Sequence, residues 1–254
     1  THMHPDHYGL AGWFQAQNGS PVFLSPREAE LARHVWVENG WRPDRIESYW
    51  RMGGITDEIA EVVSTQTAHL RDATLPHPQH VELLRAGDEV KMGGRSWRAI
   101  HAPGHADGQL IFYAAADRLL LSGDQVLLKI TPNIGLWPST ESEPLARYLT
   151  SLQELAVLDV RLALPGHGRL IGNWRGRIAE LQTHHALRLE QTITAVGPHG
   201  ATALEVSRHL FDYDRFSRHE VRFAIAEALA HLEYQVERGE LAVEEDRFRI
   251  YYRL

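Results

Sequence analysis

The first seven residues of the chain concentrate side chains that bind metals. They read Thr-His-Met-His-Pro-Asp-His, so His2, His4, Asp6 and His7 occupy four of six consecutive positions. Imidazole nitrogens and carboxylate oxygens are the ligands that zinc accepts when no thiolate is present, and the chain has no cysteine. A purification tag, a solvated histidine-rich tract or a metal site would each contain such a cluster. The interposed Pro5 and Asp6 disfavour a tag, because tags are uninterrupted runs of histidine.

Three further metal-capable side chains stand where predicted strands end. His105, Asp124 and His167 each come directly after a glycine. The apolar runs that precede these glycines, at residues 97–101, 118–122 and 161–164, are predicted to be buried strands. Glycine permits the turn that points the next side chain back over the strand end. The seven side chains are therefore expected to converge on one site.

The order of these motifs resembles a known family. In the metallo-β-lactamase superfamily, a His-x-His-x-Asp-His motif is followed by a Gly-His, a Gly-Asp and a second Gly-His turn. All four elements are present here in that order. The resemblance implies an α/β fold, the αββα sandwich of that superfamily, and a metal-dependent hydrolase.

The resemblance also assigns roles to the seven side chains. It gives three ligands to each of two zinc ions: His2, His4 and His105 to one, and Asp6, His7 and His167 to the other. Asp124 would bridge the ions, and Asp6 and Asp124 would be the catalytic carboxylates. Zinc lowers the pKa of its bound water to about 7, so a hydroxide shared by two ions would attack a carbonyl carbon or a phosphorus. Iron is not expected, because the redox branch of the superfamily has Glu where this chain has His4. Asp124 separates the chain from the antibiotic-degrading branch, which uses a Cys ligand.

The chain opens inside the metal motif, without an initiator Met. Members of the superfamily have several strands and a helix before this motif. The resemblance therefore predicts a chain truncated at its N-terminus, and any signal peptide would lie on the missing part.

The predicted domains are a hydrolase domain at residues 1–173 and a winged-helix-like domain at residues 174–254.

Several segments between the motifs are predicted to border the site or support it. Helices are expected at residues 8–17 and 144–158, from their apolar spacing. Lys129 and Asn133 are candidates for holding a substrate carboxylate or phosphate, although an exposed Lys and a turn Asn are equally good interpretations. Three other histidines follow no Gly turn and are predicted to pack or lie at the surface: His69, His77 and His80. A fourth, His101, alternates with its strand and is expected to pack in the sheet rather than bind metal.

Residues 41–75 are predicted to be an inserted, mostly polar helical segment that Gly53 and Gly54 interrupt. It contains four large side chains: Trp41, Tyr49, Trp50 and Met52. These side chains form either the core side of a helical pair or part of a substrate lid with the two glycines as its hinge.

The C-terminal part has the pattern of a winged helix. Helical periodicity begins near residue 174, capping boxes at 202–205 and 217–220 start two further helices, and residues 241–244 and 248–252 predict a hairpin around Asp246. Residues 176–254 contain 10 Arg, no Lys and 13 Asp or Glu, which gives a net charge of −3. A winged helix that reads DNA needs a basic stripe, so a structural or homodimer-forming role is favoured.

Overall charge and composition restrict the substrate. The whole chain has a net charge of −7 and no run of about 18 apolar residues, which argues against phosphate-backbone binding and against a membrane span. A cytoplasmic enzyme for a small-molecule thioester or ester, of the hydroxyacylglutathione-hydrolase type, is the first hypothesis. A single-strand endoribonuclease or phosphodiesterase acting on RNA is the alternative, which the winged-helix pattern favours. The third is a non-enzymatic metal-binding module.

Overall fold

The computed structural model describes residues 1–42, 44, 46–245 and 248–254; for residues 50, 57, 58, 62–64, 66, 215, 218 and 219 it describes the backbone alone. The chain forms two compact units. The first contains Thr1–Asn39, Leu70–Pro132 and Arg147–Leu181. The second contains Gly40–His69, Asn133–Ala146 and Gln182–Leu254. The predicted boundary between residues 173 and 174 stays a prediction.

A five-stranded sheet is the centre of the first unit. The strands of this unit are β1 (Phe23–Leu24), β2 (Glu82–Leu83), β3 (Glu89–Met92), β4 (Arg95–His101), β5 (Leu110–Ala114), β6 (Leu119–Gly123) and β7 (Leu162–Pro165). The sheet has the order β3-β4-β5-β6-β7, antiparallel as far as β6, while β7 runs parallel to β6. β1 and β2 form a separate parallel pair. The three strands predicted to precede His105, Asp124 and His167 are confirmed as β4, β6 and β7.

Short helices begin within the first motif. They are α1 (Pro5–Tyr8), α2 (Ala11–Asn18) and α3 (Pro26–Ala32), which continues as a π-helical turn at Arg33–Val37. The prediction of a single helix at residues 8–17 is wrong in its bounds, because Gly9 and Leu10 interrupt the helix and separate α1 from α2. Ser25 caps the N-terminus of α3, since its Oγ accepts a hydrogen bond from the Glu28 amide.

The helix predicted at residues 144–158 is confirmed as α6 (Pro144–Ala156). Its side chains Tyr148, Leu152 and Leu155 are buried, which follows from their spacing of three and four residues. The Tyr148 hydroxyl donates a hydrogen bond of 3.0 Å to the Gln125 carbonyl. This hydrogen bond connects α6 to Gln125, the residue directly after Asp124.

The second unit is mainly helical. Its elements, some of which extend into the first unit, are α4 (Glu47–Gly53), α5 (Asp57–Ala73), α7 (Trp174–Val196), α8 (Ala203–Leu210), a 3-10 turn at Tyr213–Arg215, α9 (Arg218–Glu237), β8 (Leu241–Glu245) and β9 (Arg249–Arg253). Both predicted capping boxes are present, formed by Thr202 with Glu205 and by Ser217 with Glu220. The predicted hairpin is confirmed as β8 and β9, whereas its tip, Asp246, lies outside the described residues. The winged-helix assignment stays a prediction.

The aromatic side chains of residues 41–75 contribute to the core of the second unit. Tyr49 is buried there, and Trp41 and Met52 pack against the same core. The Trp41 ring stacks on Trp137 at 6.0 Å between centroids. These contacts favour the packing interpretation of the insertion over the lid, and the side chain of Trp50 lies outside the described residues. No helix in the described part of the chain is long and apolar enough to cross a membrane.

Candidate metal centre

The seven predicted ligands all lie in the first unit, where they form two groups. His2, His4 and His105 form group A, and Asp6, His7, Asp124 and His167 form group B. Within each group, one possible ligand atom of every member lies within 4.8 Å of those of the others. The convergence predicted from the four motifs is therefore present in the fold, although the assignment of each side chain as a ligand stays a prediction.

Asp124, a member of group B, also lies close to group A. Its Oδ2 is 3.3 Å from Nε2 of His7 and 3.3 Å from Nε2 of His167 in group B. The same oxygen is 3.8 Å from Nε2 of His105 in group A. Burial alone would raise the pKa of Asp124, but the surrounding imidazoles outweigh burial and lower the pKa. Asp124 therefore favours its ionised form, the form that binds metals.

Group A is a tight cluster of imidazoles. Nε2 of His2 lies 3.0 Å from Nδ1 of His4, and the His105 ring centroid is 5.0 Å from that of His2 and 4.7 Å from that of His4. His2 is 1% exposed. Burial, and then the neighbouring imidazoles, lower the pKa of His2 well below its ordinary value. His2 is thus neutral at physiological pH, with a nitrogen lone pair available to a metal.

Group B is open to solvent on one side. Oδ2 of Asp6 lies 3.0 Å from Nε2 of His167, and their side chains are 53% and 45% exposed. His7 and Asp124 form the inner side of the group, with side-chain exposures of 15% and 8%. A substrate would therefore reach group B from the side of Asp6 and His167.

The glycines of the two Gly-His turns stand at positions where a larger residue would not fit. Gly104 has φ of +125°, and a Cβ there would lie 2.4 Å from Cβ of Tyr148 on α6. A Cβ on Gly166 would lie 2.3 Å from Oδ1 of Asp124 and 2.7 Å from Cε1 of His7. The glycines of the two Gly-His turns are therefore required by close contacts, and in the case of Gly104 also by backbone conformation.

A pair of buried glutamines joins the turn of Asp124 to that of His105. Oε1 of Gln109 accepts from the Asp124 amide at 3.2 Å, and its Nε2 donates to Oε1 of Gln125 at 2.9 Å. Nε2 of Gln125 in turn donates to the Pro103 carbonyl at 3.2 Å, two residues before His105. The sequence analysis missed this pair. A polar residue directly before the apolar strand β5 was the available signal.

The donor set fits metal ions. It consists of five imidazoles and two carboxylates, the ligand types that divalent transition metals bind. Two side-chain atoms of group B residues, Nε2 of His7 and Oδ1 of Asp124, are buried and have no hydrogen-bond partner among the described residues. Buried polar atoms without a partner are costly, and a coordinated cation would satisfy both.

The two predicted substrate-binding residues belong to different units. Lys129 is an exposed side chain of the first unit. Asn133 belongs to the second unit, where its Nδ2 donates to the Phe223 carbonyl at 3.1 Å and to Oε2 of Glu227 at 3.0 Å. Contact with a substrate stays a prediction for both residues.

None of the four histidines predicted not to bind metal belongs to a metal-capable group in the described part of the chain. The ring of His77 shares a 3.0 Å hydrogen bond with Thr74, as expected of a packing histidine. The expectation that His101 packs within the sheet is wrong. Its side chain is exposed at the end of β4, where Nε2 lies 2.9 Å from the Asp107 carbonyl.

Comparison with known proteins agrees with this geometry. The family description "Metallo-beta-lactamase superfamily" matches residues 1–167, and "Metallo-beta-lactamase-like, C-terminal domain" matches residues 189–252. A crystal structure of a metallo-beta-lactamase family protein from Thermus thermophilus is 37% identical, with a TM-score of 0.88 over 100% of this chain and 78% of that one.

Curated relatives have lower identity. A lactamase-like protein of Penicillium aethiopicum is 28% identical over 70% of this chain and 54% of its own length. An atrochrysone carboxyl ACP thioesterase of Paecilomyces divaricatus is 29% identical over 68% of this chain and 49% of its own length. The chain spans about half the length of these two relatives. The family match covers well over half of the chain, from the first motif to the last Gly-His turn. The chain therefore belongs to the metallo-beta-lactamase superfamily, a superfamily of metal-dependent hydrolases, and has its mixed α/β fold.

Proposed function

We propose that this protein is a dinuclear zinc hydrolase that acts on a thioester or ester. The position of the Asp124 carboxylate carries the proposal, because its Oδ2 lies within 4 Å of imidazoles from both group A and group B. A carboxylate between two ligand groups suits two ions that share one bridging ligand. Zinc is the metal proposed, because the ligands are imidazoles and carboxylates and because zinc has no redox chemistry.

The residues of each group have distinct roles in this proposal. His2, His4 and His105 would hold one ion, Asp6, His7 and His167 would hold the other, and Asp124 would be a ligand of both. When bound, two zinc ions lower the pKa of water to about 7 and polarise the carbonyl oxygen of the substrate. Asp6 is the more exposed carboxylate, so it is the group placed to accept a proton from the attacking water and pass it to the leaving group.

Charge and relatives support an acyl substrate. The chain has a net charge of −7, which repels the phosphates of RNA. A thioesterase is among its curated relatives, and this supports cleavage of an acyl–sulfur bond. Hydrolysis adds water across that bond and releases a carboxylic acid and a thiol, so no oxidant or reductant is needed. The proposed substrate is a small acyl thioester, either free or carried by an acyl carrier protein.

The test is turnover of three substrates side by side with zinc: S-lactoylglutathione, an acyl carrier protein thioester and single-stranded RNA. Asp124→Ala is the matched control for metal-dependent rate. Cleavage of a thioester that is lost in Asp124→Ala is the expected result. RNA cleavage lost in the same variant, with both thioesters intact, would replace the thioesterase proposal by the endoribonuclease alternative.

A further inference from the structure

Glu28 on α3 joins two segments that carry histidines of group A. Its side chain is 0% exposed. Oε2 accepts a hydrogen bond of 2.7 Å from the amide of Met3, which lies between His2 and His4. Oε1 accepts a hydrogen bond of 2.8 Å from the amide of Gly108, three residues after His105. One buried carboxylate thus accepts hydrogen bonds from both backbone segments that carry histidines of group A.

Other contacts fix the helix relative to the same two segments. On the Met3 side, the indole Nε1 of Trp36 donates to the Met3 carbonyl at 2.9 Å, so both polar groups of the Met3 backbone are bonded to this region. On the Gly108 side, Nε and Nη2 of Arg27 donate to Oδ2 of Asp107 at 3.1 and 2.9 Å. The hydrogen bonds of Trp36 and Arg27 therefore hold the helix of Glu28 against the segments of Met3 and Gly108 independently of the Glu28 side chain.

The contact of Gly108 with α3 allows no side chain. A Cβ at Gly108 would lie 2.4 Å from Oγ of Ser25 and 2.8 Å from Cβ of Arg27. The Gly108 backbone thereby comes close enough to donate to Glu28. A carboxylate can accept from both amides, whereas an amide side chain offers one acceptor oxygen and an NH2 group that would face an N–H.

We propose that Glu28 is a positioning residue for the metal bound by His2, His4 and His105. It hydrogen-bonds backbone amides and not the imidazoles, so it acts by holding the two histidine-bearing segments at the spacing that the ion requires. This inference rests on the proposed function, since it presupposes that group A binds a metal. It adds a residue outside the motifs to the determinants of that site.

The test compares Glu28→Gln with wild type and with Glu227→Gln, which removes a buried carboxylate of the second unit. The probes are Zn²⁺, in competition with a chromogenic chelator, and Co²⁺, read by its d–d absorption bands. Loss of a residue that orients metal ligands typically weakens metal affinity by about 10- to 100-fold. We expect Glu28→Gln to weaken one of two zinc equivalents by that factor and to change the Co²⁺ spectrum. Glu227→Gln should retain wild-type zinc affinities and the wild-type Co²⁺ spectrum.

The outcomes separate this inference from the proposed function. Wild type that binds two zinc ions, with equal affinities and an equal Co²⁺ spectrum in Glu28→Gln, would overturn the role of Glu28 alone. Wild type that binds no metal would overturn the proposed function and this inference with it. If Glu28→Gln does not fold, amide exchange on metal-free wild type decides. Slow exchange at both Met3 and Gly108 supports the contact, and fast exchange at either amide refutes it.

Discussion

Replacing Gly166 by Ala tests the geometry of the metal centre without removing a ligand. The added Cβ would lie 2.3 Å from Oδ1 of Asp124 and 2.7 Å from Cε1 of His7. Carbon atoms pack at about 3.5–4.0 Å, so the His7 ring would have to move by about 1 Å. Gly166 cannot easily move instead, because its amide donates a hydrogen bond of 2.8 Å to the Gly123 carbonyl.

The expected cost follows from the overlap. Extra methyl groups in well-packed sites cost about 1–3 kcal/mol. Because every 1.4 kcal/mol is a factor of ten in binding, the same cost placed on the metal complex weakens affinity by about 5- to 150-fold. The assay is a zinc titration of Gly166→Ala against a chromogenic chelator, with the melting temperature of the metal-free protein measured in parallel.

Gly172→Ala is the matched control, because a Cβ at Gly172 would have no neighbour within 4 Å among the residues that the structure describes. It should bind zinc as wild type does. If Gly166→Ala bound two zinc ions with unchanged affinity, the close approach of Gly166 to Asp124 and His7 would be refuted, and with it the placement of the last Gly-His turn.

Further substitutions probe the ligands and their support. Asp124→Ala should lower metal-dependent hydrolysis by about 10³-fold or more, measured as kcat/KM, because the carboxylate proposed to be shared by the two ions is lost. Gln109→Leu should lower the free energy of unfolding by about 1–3 kcal/mol in urea titrations, because the buried amide of Asp124 loses its acceptor. Leu152→Ala, at a fully buried position, should cost about 2–5 kcal/mol by the same assay while zinc stoichiometry stays unchanged. Burial raises the pKa of Glu227 to about 7, so its stabilising contribution is present below its unfolded pKa of about 4.5 and is lost as pH rises through 7. Glu227→Gln should therefore gain stability relative to wild type between pH 5 and 8, by up to about 3 kcal/mol in melting experiments at each pH.

The convergence of the seven metal-capable side chains could be predicted from the sequence because its signals are local. His2, His4 and Asp6 lie within one short motif, and His105 and His167 follow glycines at strand ends. Glycine and an apolar run are enough to predict each such turn. These signals do not depend on knowing which strands pair.

Glu28 and Gln109 could not be predicted in the same way. Glu28 stands three residues after the N-cap Ser25, where a glutamate ordinarily turns back to the cap, and only the folded chain brings Met3 and Gly108 to its carboxylate. Gln109 is a single polar residue before an apolar strand, and its partner is 16 residues away. Both roles are tertiary contacts, which leave no periodicity in the sequence.

The sequence also could not predict which segments of the chain make up the second unit. Residues 40–69 and 133–146 join residues 182–254 in one compact unit, although long stretches of the first unit separate them in the chain. Their apolar side chains, such as Tyr49, have the spacing of an ordinary amphipathic helix. Such spacing predicts that one helix face is buried but does not identify the segment against which it packs.

Anomalous diffraction at the zinc edge from crystals grown with zinc is the most direct test of the central claim. The account predicts two peaks per chain, one among the imidazoles of His2, His4 and His105 and one beside Asp6, His7 and His167, with Asp124 in contact with both. A single peak, or peaks away from these two groups, would contradict a dinuclear centre in this chain.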